Sequence, residues 1–208
     1  MQDDALRETF IDAKTVFDGR IVKVETWRVR LPDGREAQRE AVLHHGAAAI
    51  VPIDAQGNVT LVRQHRVVND VFTWEIPAGK LDYAGEDLLS CGRRELEEET
   101  GLRAANWQLL NHVITTPGFC TERIAIYLAT ELSQHEVHRD EDEFLRLKKM
   151  PLEEAVMGVM NGDFPDAKTS LGLLMAHKAL AQRARLPYGD GLPPYRRTAS
   201  YPCADARG

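Results

Sequence analysis

Gly79-Lys-Leu-Asp-Tyr-Ala-Gly-Glu-Asp-Leu-Leu-Ser-Cys-Gly-Arg-Arg-Glu-Leu-Glu-Glu-Glu-Thr-Gly-Leu102 is the stretch on which the reading of this chain turns. Its first third is a loop rich in Gly and Asp that follows the apolar, aromatic run from Val71 to Ile76. The remainder reads as a short helix. Asp87 is acidic in its first turn, Leu88, Leu89 and Leu96 recur at core-facing spacing, and Gly101 stops it as a C′ glycine. Glu95, Glu98 and Glu99 stand at i, i+3 and i+4, so their carboxylates share one face. Like charges at those spacings repel. Arg94 can pair with Glu97 or Glu98 but cannot neutralise the whole cluster.

Two readings compete for the cluster. Three glutamates on a helix are commonly a solvated face. Alternatively they converge on a hard divalent cation such as Mg²⁺, which takes oxygen ligands and is held by a few carboxylates plus substrate phosphates. The wider pattern decides between them. Glu86, seven intervening residues, then Arg94-Glu95-Leu96-Glu97-Glu98-Glu99-Thr100-Gly101-Leu102 closely resembles the Nudix box, in which Gly and five residues precede that Glu. One departure stands out: six residues separate Gly79 from Glu86. The surplus residue falls between Lys80 and Gly85, before the helix, so it leaves the helical ligand spacing intact and leaves the placement of Glu86 open. The resemblance implies an α/β Nudix fold, with mixed β-sheets sandwiched between helices and an N-terminal β-hairpin extension.

Outward from the box, the 208 residues fit one domain with terminal extensions. A formal charge of −6 gives no global field to attract nucleic acid, so an anionic substrate requires local basic groups and a metal. Cys91, Cys120 and Cys203 are odd in number and form no CxxC pair, which points to a reducing compartment. Neither a leader nor a membrane-spanning apolar run is read, and the expected location is cytoplasmic.

Residues 1 to about 12 read as a lead-in. Lys14 to Arg30 alternates apolar with polar residues about a turn at Asp18-Gly19. Leu31-Pro-Asp-Gly34 turns the chain into a return strand, Arg35 to His45. This gives an N-terminal unit over 1–45 whose hairpin invites a partner. A catalytic domain spans 46–186. Its strands are expected over Gly46 to Ile53, Val59 to Val68, Phe72 to Ile76, Trp107 to Thr115, Arg123 to Glu131 and Phe144 to Met150. Helices are expected from Leu152 to Asn161, with Pro151 in the first turn, and from about Ala167 to Arg185, with Leu171, Leu174, Met175, Lys178 and Ala179 along one side. From Pro187 on, Pro and Gly are dense and periodicity stops, so 187–208 reads as a loosely ordered tail.

The resemblance extends to one branch. Leu61-Val62-Arg63-Gln64-His65-Arg66 and Trp74-Glu75-Ile76-Pro77-Ala78-Gly79 are similar to the segment preceding the box in ADP-ribose pyrophosphatases. Thr116-Pro117-Gly118-Phe119 and the late acidic run Asp140-Glu141-Asp142-Glu143 are similar to loops of that branch. That implies a homodimer and a nucleotide-sugar substrate. Mg²⁺, with Mn²⁺ as a substitute, is expected on Glu95, Glu98 and Glu99 with the Ala78 carbonyl. Arg94 is expected to orient the glutamates by ion pairing. Glu143, with Glu141 next, is expected as general base; the competing reading of that loop is a solvated acidic turn. Arg66 is assigned to phosphate or ribose, and Arg63, of opposite strand parity, to the surface. The resemblance places Glu75, Gly118 and Phe119 at the nucleoside pocket, with a structural role the competing reading for Glu75 and Phe119, and Glu122 is an additional metal candidate.

The leading activity is Mg²⁺-dependent hydrolysis of ADP-ribose to AMP and ribose 5-phosphate. Another nucleotide sugar or a dinucleotide (GDP-mannose, NADH or coenzyme A type) keeps the machinery and changes the pocket. A non-catalytic Nudix sensor is the third reading, disfavoured by the intact glutamates.

Overall fold

A short 3-10 turn, Asp3–Leu6, leads into three antiparallel strands: β1 (Thr9–Asp18), β2 (Lys23–Arg30) and β3 (Glu36–Leu43). The computed structural model describes residues 3–83, 85–136 and 144–183. The hairpin expected from the alternating pattern is the β2–β3 pair, in register from Lys23↔Leu43 to Arg30↔Glu36. Its turn is the one read from Leu31-Pro-Asp-Gly34: Gly34 has φ 87° and donates its N–H to the Leu31 carbonyl at 2.9 Å. β1 begins at Thr9, inside the stretch read as lead-in, because Thr9 to Asp18 finds a full pairing partner along β2. These strands form one compact unit, Met1–Gly46, together with Val113–Arg123. Within it the excursion docks on β3, the Val42 N–H donating to Phe119 O (2.7 Å) and the Thr121 N–H to Val42 O (2.9 Å). A buried carboxylate, Glu25, is satisfied inside this unit by the Trp27 indole N–H (2.8 Å) and the Lys23 ammonium (3.0 Å).

The second unit, Ala47–His112 with Ile124–Gly208, carries the remaining elements. In chain order they are β4 (Ala47–Pro52), β5 (Asn58–Arg66), β6 (Val71–Glu75), β7 (Ala78–Lys80), α1 (Leu88–Thr100), β8 (Leu102–Ile114), β9 (Arg123–Gln134), β10 (Arg146–Pro151), α2 (Leu152–Asn161) and α3 (Ala167–Arg183). One mixed sheet has the order β7-β4-β9-β8, and an antiparallel sheet has the order β10-β5-β6. β4 runs parallel to β9, from Ala47↔Ile124 to Pro52↔Ala129, and antiparallel to β7. Its Ala-Ala-Ala-Ile-Val-Pro run is buried throughout, as expected for a strand covered on both faces. Alternation assigns the faces. Ala48 and Ile50 meet α1, packing with Cys91 and Leu96, while Val51 and Ile126 meet α3 at Gly172. The sheet is thus sandwiched between helices, as the sequence implied.

The structure corrects the expected face of α3. Leu174 and Lys178 are exposed and Leu171 is half-buried; the buried residues are Thr169, Gly172, Leu173, Ala176 and Ala179. The physical reason is closeness. A Cβ on Gly172 would lie 2.9 Å from Ile76 Cδ1 and 3.1 Å from Val51 Cγ2, so the helix meets the sheet at a residue without a side chain, and Leu173 is buried beside it. Two further adjustments are local. Pro151 stands as the cap preceding α2 instead of inside its first turn, and β8 begins at Leu102, ahead of Trp107. The tail over 187–208 lies outside the described residues. No helix among the described residues is long and apolar enough to cross a membrane.

Candidate active site

α1 is set at both ends by its own sequence. Asp87, expected in the first turn, is the N-cap: its carboxylate accepts the Ser90 N–H at 2.8 Å and is held below the usual range by that bond. Gly101 closes the helix at φ 70°, its N–H donating to Glu97 O at 2.7 Å. Between these caps the helix lays one face on β4 and β7, which buries Glu95 (8% exposed) and Glu99 (3%) and leaves the Glu98 side chain a third exposed.

Gly79 explains how Glu95 fits. A Cβ at Gly79 would stand 1.9 Å from Glu95 Cδ and about as close to both carboxylate oxygens. The bare backbone of β7 is therefore a cradle for that carboxylate. One residue earlier, the Ala78 N–H donates to Glu99 Oε2 at 3.2 Å. α1 also sets the Cys91 thiol against the Gly79 and Lys80 carbonyls of β7. Burial, and then the charge of Glu95, pushes that thiol up to about 12, so it is inert as a nucleophile.

Arg94 gathers the acids. Its Nη1 donates to Glu95 Oε1 (2.7 Å) and Glu98 Oε2 (3.1 Å), while Nε lies 3.3 Å from Asp82 and 3.6 Å from Glu86. Burial would make this guanidinium easier to deprotonate, but the surrounding carboxylates, led by Glu95, raise its pKa well above the ordinary arginine value. Glu86, whose position the surplus loop residue left open, is turned to structural use. It accepts the Asp82 N–H at 2.8 Å and pairs with Arg94, its side chain 8% exposed.

A second charged group adjoins the start of this loop. Glu75, 1% exposed on β6, accepts Arg66 Nε (2.7 Å) and Nη2 (2.6 Å), the Thr73 hydroxyl (2.6 Å) and the Lys168 ammonium. Burial alone would raise its pKa; the Arg66 fork, Lys168 and Thr73 instead bring it down to about 2. Arg63 lies on the other strand parity, exposed, over the rings of Phe72 and Trp74 at 5.7 and 5.6 Å. A cleft of about 320 Å³ between β6, β10 and α2, floored by Trp74, Met150 and Phe164, contains none of the glutamates of α1.

The structure therefore brings together Ala78, Arg94, Glu95, Glu98 and Glu99, and separately joins Arg66 to Glu75. Gly118, Phe119 and Glu122 belong to the excursion in the first unit, where Phe119 is exposed and Glu122 lies 3.7 Å from His44. Glu141 and Glu143 lie outside the described residues. Sequence reasoning missed Asp82, Lys168, Asp166 and Thr169. An Asp after Phe164-Pro165 and three residues before Thr169 is an N-cap signal for α3 that was there to be read; nothing in sequence announced that Lys168 reaches Glu75.

Among the described residues no three His, Cys, Asp or Glu side chains close on one metal-sized point, and Arg94 ties Glu95 to Glu98. The donor chemistry nevertheless fits a hard divalent cation: oxygen ligands only, two of the acids buried one turn apart, and a backbone stripped of Cβ beneath one of them.

A family model described as the NUDIX domain matches residues 43–170. The ADP-ribose pyrophosphatase of Mycobacterium tuberculosis (strain ATCC 25618 / H37Rv) is 38% identical over 170 residues, 80% of this chain and 82% of that one. The ADP-ribose pyrophosphatase of Bacillus subtilis (strain 168) is 37% identical over 171 residues, 81% of this chain and 92% of that one. A crystal structure of an ADP compounds hydrolase superposes with a TM-score of 0.75 across 87% of this chain and 98% of its own; at 24% identity that likeness speaks for the fold alone.

Proposed function

The chain belongs to the Nudix family, and from that premise we propose that it is a pyrophosphatase that hydrolyses ADP-ribose to AMP and ribose 5-phosphate with Mg²⁺ as cofactor and Mn²⁺ as a substitute. The observation that carries this reading is the pair of buried carboxylates, Glu95 and Glu99, laid over the Cβ-free backbone of Ala78–Gly79. Two pyrophosphatase relatives named for ADP-ribose support the substrate.

Glu95, Glu98, Glu99 and the Ala78 carbonyl would hold the metal, which when bound neutralises phosphate charge and lowers the pKa of a coordinated water. Arg94 keeps the acids in one orientation by its bonds to Glu95 and Glu98. Arg66, fixed by two parallel bonds to Glu75, supplies local positive charge for the substrate in an otherwise acidic chain. Glu143, or its neighbour Glu141, takes the proton from the attacking water. Glu75 serves the nucleoside pocket through Arg66.

The test is release of AMP from ADP-ribose with and without Mg²⁺, beside GDP-mannose, NADH and coenzyme A. Faster cleavage of another compound would replace the substrate and keep the machinery. Tight ADP-ribose binding without metal-dependent cleavage would make the chain a sensor. Glu98→Gln and Glu99→Gln are each expected to lose roughly 100-fold or more in turnover; full activity in either removes that residue from the metal site. The free thiols of Cys91 and Cys120 support a reducing, cytoplasmic setting. A homodimer through the 1–45 strands is part of the same reading, supported by the exposed Val16, Phe17 and Ile21 on and beside β1. Light scattering should give twice the chain mass for the full-length protein, and Phe17→Asp should shift it towards the monomer; a monomeric parent protein refutes the dimer.

A further inference from the structure

The first turn of α3 lies outside every motif described above, yet its side chains reach both halves of the site. Asp166 caps the helix, accepting the Thr169 N–H at 2.9 Å, and also accepts the Thr169 hydroxyl and the Lys168 ammonium, the latter at 2.9 Å. The Thr169 oxygen in turn accepts the Ile76 N–H at 3.0 Å. Lys168, 13% exposed at its side chain, bridges Asp166 to Glu75, the same carboxylate that grips Arg66 with two bonds. Thr169 is fully buried and Glu75 nearly so, and a buried polar network of this kind holds its members only while every partner is present.

We propose that Asp166, Lys168 and Thr169 form a positioning clamp with two outputs, an inference that rests on the functional reading given above. Through Thr169 the clamp fixes the Ile76 amide, and with it the following Pro77-Ala78-Gly79 backbone that underlies Glu95 and bonds Glu99. Through Lys168 it fixes Glu75 and therefore the guanidinium of Arg66. None of the three touches substrate or metal. They act through the groups that do.

The two outputs separate experimentally. Thr169→Val keeps the side-chain shape and removes the acceptor for Ile76. It should weaken Mn²⁺ binding, read by paramagnetic resonance titration without substrate, by about tenfold or more. Thr169→Ser should restore it. Lys168→Met should raise KM for ADP-ribose about tenfold with kcat little changed, and should weaken ADP-ribose binding by calorimetry to match, while Mn²⁺ titration stays as in the parent. Lys168→Arg should recover most of that loss. If Thr169→Val does not fold, as judged by its thermal midpoint, Asp166→Asn carries the same expectation, because it weakens the acceptor that orients the Thr169 hydroxyl. Parent-like Mn²⁺ binding in the folded Thr169 or Asp166 variant, or unchanged KM and ADP-ribose affinity in Lys168→Met, overturns the clamp. Absence of both Mn²⁺ and ADP-ribose binding in the parent protein overturns the functional reading instead.

Discussion

At Gly79 the absence of one carbon decides where a carboxylate lies. Its φ is ordinary, so conformational freedom is not the reason for glycine here; space is. In Gly79→Ala the new Cβ would fall 1.9 Å from Glu95 Cδ, and the carboxylate must leave its cradle. The expected outcome is a loss of about 10- to 100-fold in metal-dependent turnover and a higher Mg²⁺ requirement, with a folded protein by circular dichroism. An unchanged Mg²⁺ activation curve would show that the cradle does not matter. Sequence spacing placed Glu95 and Glu99 on one helical face, because a helix has a fixed period. It could not place Asp82 or Lys168, which lie in a loop and on a later helix with no period linking them to their partners Arg94 and Glu75. The position of Glu86 was unreadable for a related reason: a loop with one surplus residue has no template until the Asp82 amide and Arg94 fix it.

At the scale of elements, strands and helices were read close to their observed ends where alternation or caps marked them. α2 was read at its observed bounds, and β4 was legible as an unbroken small-apolar run. The face of α3 expected from Leu171, Leu174, Met175, Lys178 and Ala179 is rotated from the observed one, and only its Ala179 is buried. The helix instead approaches the sheet through Gly172, and a close approach selects a small residue there. Two substitutions distinguish these accounts. Gly172→Val should cost about 1–3 kcal/mol or more by overpacking against Ile76 and Val51. Leu174→Ala should cost less than about 1 kcal/mol, well below the ~2–5 kcal/mol of a truncated core leucine. Urea denaturation of both variants gives the answer, and the reverse order would restore the face read from sequence.

Over the whole molecule, the ionic core of the second unit sets an acid limit. Glu75 has its pKa lowered to about 2 from 4.5 by its cationic partners, so the folded state binds its proton less readily than the unfolded chain. The stabilisation is present above about pH 4.5 and is lost as pH falls from there towards 2, a contribution on the order of 3 kcal/mol. Denaturation at pH 7, 4 and 3 should show this decline, and Glu75→Gln should flatten it from a lower starting stability; an equally steep decline in that variant would place the acid sensitivity elsewhere. The architecture also bears on how the chain is made. The first unit is discontinuous, since Val42 of β3 donates a backbone bond to Phe119 and accepts one from Thr121, residues that leave the ribosome long after β3 itself. At about 5–20 residues per second, several seconds of synthesis separate the sheet from the segment that completes its edge. During that interval the nascent chain presents an open strand to whatever is near, so the timing of translation, and any chaperone that covers the strand, governs the yield of folded protein.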